Sequence, residues 1–307
     1  MIAVPGDLAG MRLDQALARL LPQHSRNRLK AWIEAGDVRV DGAAVLPRHK
    51  LSGGESIAVR ERAAPPGADA AEAMPLPITY EDEALVVIDK PAGLVVHPGA
   101  GNRSGTLLNA LLHHLPALAS LPRAGIVHRL DKDTSGLMVV AKTPQAQTDL
   151  VRQLQARSVH RHYVALAHGD IQRDVVVDAP IGRHPVQRTT MAVVASGKPA
   201  RTHVDVLERH GVATLVRCRL ETGRTHQIRV HLASIGHPLV GDPVYGSRRS
   251  VARPPALADF PRQALHAEHL ALLHPVTRRE CRWTAPLPAD LAALIARVRR
   301  HDIEPTR

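Results

Sequence analysis

The chain reads as an α+β catalytic domain preceded by a small α/β module, and three observations predict this. A Pro-, Ala- and Gly-rich stretch, residues 62–77, separates two regions of different pattern. The region before it, residues 12–61, runs as two short helices and then strands. The region after it, residues 78–300, mixes strand and helix patterns without the regular rhythm of a βαβ fold, and no internal repeat interrupts it.

In the first region, Leu13, Ala16, Leu17, Leu20 and Leu21 recur at helical spacing, and Pro22 ends that helix. Ser25 is placed to cap a second helix through Leu29, Trp32 and Ile33, and Gly36 to stop it. Arg26, Arg28 and Lys30 load the N-terminal half of the second helix with positive charge. Val38 to Gly42 reads as a strand entering a tight turn, and Ser56 to Arg60 as the closing strand.

In the second region, Ala84 to Ile88 reads as a buried strand, Asp89 to Gly93 as a turn, and Leu94 to Val96 as a continuing extended segment. Thr106 to His114 and Gln145 to Arg157 carry amphipathic helical spacing. Tyr163 to Ala167, Val175 to Val177, Met191 to Val194, Thr202 to Leu207 and Thr214 to Leu220 read as strands.

The most informative stretch is His128-Arg129-Leu130-Asp131-Lys132-Asp133-Thr134-Ser135-Gly136. Gly125 to Val127 before it and Leu137 to Ala141 after it read as buried strands, so the charged nonapeptide reads as a loop at a sheet edge. Charges held there are costly unless they face a cleft or pair with each other, which makes Asp131 a candidate functional acid.

Composition narrows the partners. The 307 residues are 44% hydrophobic, enough for a large core, and no run of 18 apolar residues suggests a membrane span. The start lacks the charged and apolar regions of a signal peptide, so a cytoplasmic location is expected. The net charge is +11, which favours a polyanion such as nucleic acid. Lysines number only six, so arginine carries most of that charge. Six aromatic residues are too few for single-strand binding by stacked rings. Cys218 and Cys281 leave room for one disulfide but for no Cys-x-x-Cys zinc pair.

The nonapeptide resembles the catalytic loop of the pseudouridine synthases of the large-ribosomal-subunit type, in which the same His-Arg-Leu-Asp order carries the nucleophilic aspartate. Three further segments resemble that family in order and spacing. They are Asp89 to Gly93, then Arg161-His162-Tyr163, whose tyrosine follows the aspartate by 32 residues, and Leu220 to His231 followed by Gly236 to Gly246. The resemblance runs from about residue 78 to 285, and residues 12–61 resemble the S4 RNA-binding module.

The resemblance implies a mixed, mainly antiparallel central sheet and the isomerisation of uridine to pseudouridine. That reaction breaks the N1–C1′ bond, turns the uracil and rejoins it through C5. Nothing enters from outside, so no cofactor is expected. A carboxylate can form the covalent intermediate, and in a dry site it needs a cation to stay charged. Asp131 is implied as nucleophile and Arg229 as its partner. Tyr163 is implied against the target base, by stacking or by taking the C5 proton. Arg129 would fill the gap left by a flipped nucleotide or clamp a phosphate. His128 and Arg224, with Arg26, Arg28 and Lys30 of the first region, complete the expected RNA contacts.

The implied partner is large-subunit ribosomal RNA or a pre-ribosomal particle, met by a monomer. His97 to Asn102, Arg183 to Pro185, Met191 to Val194 and Gly197 to Ala200 are similar to one family member whose substrates are uridines of the helix 69 stem-loop. A sister synthase acting on other rRNA sites and a non-catalytic ribosome-assembly factor are the alternatives; intact Asp131, Tyr163 and Arg229 argue against the second.

Two expectations concern local geometry. Strand alternation would put Gln227 and Arg229 on one face and His226 and His231 on opposite faces. His266 and Glu268 begin like a zinc-deaminase motif, with His266 and His269 at helical spacing. A deaminase needs a later Pro-Cys-x-x-Cys, and Cys281 stands alone, so the nineteen histidines are read as RNA-facing or structural, with no metal.

Overall fold

A computed structural model describes residues 1–22, 24, 26–61, 70–99, 101–246, 257 and 259–303. The chain divides into two units, Met1–Ala70 and Ala71–Arg307.

The first unit contains β1 (Ile2–Ala3), α1 (Leu13–Leu20), α2 (Arg26–Glu34), β2 (Val38–Val40), β3 (Ala43–Ala44) and β4 (Ser56–Val59), its strands ordered β1-β4-β2-β3. Leu13, Ala16 and Leu17 on one helix and Leu29, Trp32 and Ile33 on the other bury against Val38, Val40 and Ile57. The amides of Gly36 and Asp37 donate to the carbonyls of Ile33 and Trp32, closing α2 where the glycine predicts. Lys30 is exposed, with Nζ 3.3 Å from Glu34 Oε1. The expected Ser25 cap, residues 62–69 of the expected linker, and the side chains of Arg26 and Arg28 lie outside the described residues.

The second unit is built on β5 (Ile78–Glu81), β6 (Leu85–Lys90), α3 (Leu107–His114), β7 (Ser135–Ala141), α4 (Pro144–Gln155), β8 (His160–His168) and β9 (Val175–Asp178). It continues through β10 (Ile181–Arg183), β11 (Met191–Val193), β12 (Arg201–Arg209), β13 (Ala213–Leu220), α5 (Gln227–Ser234), β14 (Leu265–Leu273), β15 (Glu280–Thr284) and α6 (Ala289–Ile303). The large sheet runs β5-β6-β7-β14-β8-β13-β12-β9, with β15 also on β14, and β10 and β11 form a separate hairpin. Among the described residues only β7 and β14 pair in parallel, so the sheet is mixed and mainly antiparallel, as expected.

The central strands are apolar on both faces because both faces are covered. Val86, Ile88, Met138 and Val140 pack on one side with Leu107 and Leu111 of α3. Leu85, Val87, Leu137 and Val139 pack on the other with Ala146 and Leu150 of α4. Along β8, Val164 and Leu166 meet Leu291, Leu294 and Ile295 of α6. The period-two alternation of each strand thus feeds two cores at once.

Several expectations are corrected. Asp89 and Lys90 extend β6 rather than opening a turn, because Asp89 pairs with Leu137 and Lys90 with Gly136. Leu94 to Val96 is not a strand. Gly125 to Val127 is not a strand either. Arg123, Ala124 and Gly125 all take positive φ, and Ile126 makes only an isolated bridge to Val140. Residues 227–234 form a helix instead of a strand, and His266 and His269, at helical spacing in the sequence, lie on the strand Leu265–Leu273.

Candidate active site

The loop between Ile126 and β7 is held from several sides. Lys90, buried at the end of β6, donates through Nζ to the carbonyls of Pro91 (2.7 Å), Leu94 (2.9 Å) and Lys132 (2.8 Å). Burial pulls its pKa down to about 7, against the attraction of Asp133 and Asp131. Gly93 N also donates to Lys132 O, so the Asp89 to Gly93 segment is stitched to the loop that carries Asp131. From below, Arg262 Nη1 donates to Asp133 O while its carboxylate partner Asp290 holds the rest of the guanidinium. Gly136 has φ +113°, and a Cβ there would lie 2.3 Å from Ala267 O, so only glycine lets β7 approach β14 this closely.

Arg229 projects from α5 and is only 5% exposed. Its Nη1 donates to Asp131 Oδ2 at 2.9 Å. Its Nε and Nη2 grip Asp242 at 2.7 and 2.9 Å, a bidentate pair on a fully buried carboxylate that also accepts from the amides of Val244 and Tyr245. Burial works against the Arg229 charge, but Asp242 and Asp131 outweigh it and raise the guanidinium above its ordinary value. Burial likewise pushes Asp242 up, and Arg229 outweighs it and holds that carboxyl below its usual range. The Asp131 carboxylate, 16% exposed, sits at the open end of this pair of acids bridged by one cation.

His226 stands on the other side of Asp131. It precedes α5 in a left-handed conformation, φ 57°. Met191 N donates to the Tyr245 hydroxyl oxygen, and that oxygen lies 2.8 Å from His226 Nδ1. The ring is thus tied to Tyr245 through Nδ1, and its Nε2 lies 3.9 Å from Asp131 Oδ1. Burial holds the His226 pKa below its ordinary value, with Asp131 pulling the other way.

Tyr163 lies on β8 opposite Cys218 and is 5% exposed. Burial raises its hydroxyl above the ordinary value, so the phenol is neutral at neutral pH. Asp131, Tyr163, Arg229, Arg129 and Arg224 line one cavity of about 320 Å³, within the range of small-ligand pockets. Arg129 is exposed at its edge, and Arg224 anchors its Nε on Pro199 O.

His128 lines the same cavity but does not present both nitrogens to it. Nε2 accepts from Val139 N at 3.1 Å, and Nδ1 is shut off from solvent without a partner. Burial drops its pKa to about 3, so the ring is neutral and supports β7 through Nε2.

Gln227 and Arg229 do not share a face. Gln227 turns to Thr222, Arg224 N, Arg201 O and Thr202, tying the preceding loop to β12. His231 bonds Thr202 and Ala179 O. His266 and His269 stand on a strand; His266 bonds Ser135 Oγ, and His269 packs on His162. Among the described residues no three His, Cys, Asp or Glu side chains converge as metal ligands. Cys218 and Cys281 are free thiols, and no helix among the described residues is long and apolar enough to cross a membrane. Asp242, Tyr245, His226 and Lys90 are the site residues that sequence reasoning left without roles; all four lie in or beside segments it had singled out.

Comparison with known proteins adds to this geometry. A family model described as RNA pseudouridylate synthase matches residues 84–234, and one described as S4 domain matches residues 11–57. A protein of Nitrosomonas europaea named ribosomal large subunit pseudouridine synthase D is 60% identical over 97% of this chain and 87% of its own length. One of the same name from Pseudomonas aeruginosa is 55% identical over 97% and 95%. The solved structure of human RNA pseudouridylate synthase domain containing 1 is 30% identical, with a TM-score of 0.56 over 76% of this chain and 90% of its own.

Proposed function

Because this chain belongs to the RNA pseudouridylate synthase family, we propose that it isomerises specific uridines of large-subunit ribosomal RNA, in the helix 69 stem-loop, with Asp131 as the nucleophile. The observation that carries the reading is the Arg229–Asp131 contact at 2.9 Å, inside the cavity that Tyr163 also lines. A carboxylate attacking the sugar or base must be charged, and a guanidinium pinned by Asp242 stabilises that negative charge without having to move. Asp131 bonds to C1′ as the N1–C1′ bond breaks, the uracil anion turns within the cavity, C5 bonds to C1′ as the Asp131 carboxylate leaves, and the C5 proton is lost to a base while N1 takes one up. The Tyr163 ring, which lines the cavity, holds the uracil face during the turn. Arg129, exposed at the cavity edge, fills the gap left by the flipped nucleotide or clamps a phosphate. No cofactor enters, since the product is an isomer of the substrate.

Similarity to relatives named for the large ribosomal subunit, which extends over nearly the whole chain, S4-like region included, supports a target in large-subunit rRNA. Carbodiimide mapping of pseudouridines in rRNA tests it. A strain lacking this protein should lose modification in helix 69 and regain it on complementation. Loss at other large-subunit uridines would make this a sister synthase, and an unchanged map would leave the non-catalytic reading.

A further inference from the structure

We propose that Arg161 is a phosphate anchor inside the active-site cavity, gripping the RNA backbone beside the target uridine. Arg161 is the second residue of β8, two before Tyr163, so the two side chains leave the strand on the same face. Both line the cavity that holds Asp131.

What sets Arg161 apart is the lack of a counter-charge. It is only 7% exposed, yet among the described residues no carboxylate, carbonyl or hydroxyl accepts from its guanidinium, and its Nε is shut off from solvent with no partner. The other two buried arginines are matched. Arg229 has Asp131 and Asp242, and Arg262 has Asp290 and three backbone carbonyls. A buried unpaired cation is expensive and persists where a ligand supplies the missing charge.

The surroundings are shaped for it. A Cβ at Gly223 would lie 2.8 Å from Arg161 Nη1, so the missing side chain makes room for the guanidinium. The neighbouring His128 adds a second unused donor. Its Nε2 accepts from Val139 N, which leaves the proton of the neutral ring on Nδ1, also without a partner. A group of donors with no acceptor in the protein is complementary to an acceptor-only ligand. The proposal rests on RNA as the substrate, whose recurring anion is the phosphodiester. One pleated repeat along a strand, about 6.6 Å, separates this cation from the ring that would hold the uracil, a span a single nucleotide covers. A uracil carbonyl is the competing oxygen for the same donors.

The test uses the full-length protein, Arg161→Met and Arg161→Lys, and a short ribosomal RNA stem-loop that the wild type binds. Arg161→Met should weaken binding roughly 10- to 100-fold, as expected when one charge-assisted hydrogen bond is removed, and flatten the slope of log K against log salt by about 0.9. Its single-turnover rate at saturating protein should stay within a few fold of wild type, and Arg161→Lys should fall between. Thermal stability should be unchanged or higher, since an uncompensated charge is removed. Neutralising backbone phosphates one at a time as methylphosphonates should reveal one position that weakens the wild type but has no further effect on Arg161→Met.

An unaltered salt slope with no coupled phosphate would overturn the proposal. So would a fall in stability, which marks a structural arginine, or a rate lost at saturation with the slope unchanged, which marks the uracil carbonyl. These binding readouts do not depend on turnover. A wild type that binds but converts no uridine would count against the catalytic reading and leave this one to be judged by its slope and coupling.

Discussion

Asp131 meets the cavity with one cation, and that cation answers to two acids. Arg229 spends its Nε and Nη2 on Asp242 and only Nη1 on Asp131. Asp242 is thus what fixes the guanidinium, and Asp131 is what the fixed guanidinium serves. Asp242→Asn keeps the shape but removes the buried counter-charge. It should cost about 3 kcal/mol of stability in a urea melt and slow single-turnover pseudouridine formation at least about tenfold, with RNA affinity within a few fold. Unchanged rate and stability would deny Asp242 that role. Asp131, Tyr163 and Arg229 could be named from the chain because each sits in a segment whose order and spacing resemble a known pattern. Asp242 also sits in such a segment, but nothing in one-dimensional order says that it meets residue 229 across a turn. The link from Tyr245 through His226 to Asp131 was hidden for the same reason.

Elements were legible where burial is one-sided or strictly alternating. The helices at 107–114 and 144–155 and the strands of the large sheet fall close to their expected positions. The failure at α5 has a physical cause. Gln227 to Ala233 are all buried, so the helix has no solvent-exposed face, and its polar residues Gln227, Arg229 and His231 alternate as they would on a strand. The failure at residues 123–127 comes from backbone rather than side chains, because three successive left-handed residues break an otherwise strand-like run. The β7 element carries its own pH dependence through His128, which accepts from Val139 N. Its pKa is about 3 in the fold against 6.5 for the ordinary ring. The unfolded chain therefore binds the extra proton between those values. The stabilising contribution is complete above about pH 6.5 and declines as pH falls toward 3. His128→Gln keeps an acceptor without a titrating group. Between about pH 6.5 and 4.5 the wild type should lose roughly 2–3 kcal/mol more stability than this variant, measured by denaturant melts. Parallel losses would mean that His128 does not carry the acid sensitivity.

At the scale of the whole molecule, the positive charge is readable from the sequence because charge is a sum over residues, and the unit Met1–Ala70 has its own apolar core. We propose that the S4-like unit supplies affinity while the second unit supplies chemistry. Deleting residues 1–70 should weaken rRNA binding and make its salt dependence shallower, while the remaining chain stays folded. The slope should fall by about 0.7–0.9 for each phosphate that the first unit neutralises. Equal affinity and slope would deny the first unit an RNA role.

The central claim is that Asp131, held by Arg229, is the nucleophile, and one substitution tests it most directly. Asp131→Asn keeps the size of the side chain and removes its charge. Release of tritium from 5-tritiated uridine in large-subunit rRNA, at saturating protein, should fall by more than about a thousandfold while RNA affinity stays within a few fold. Tritium release near the wild-type rate would contradict the claim, and the nucleophile would have to be sought elsewhere in the cavity.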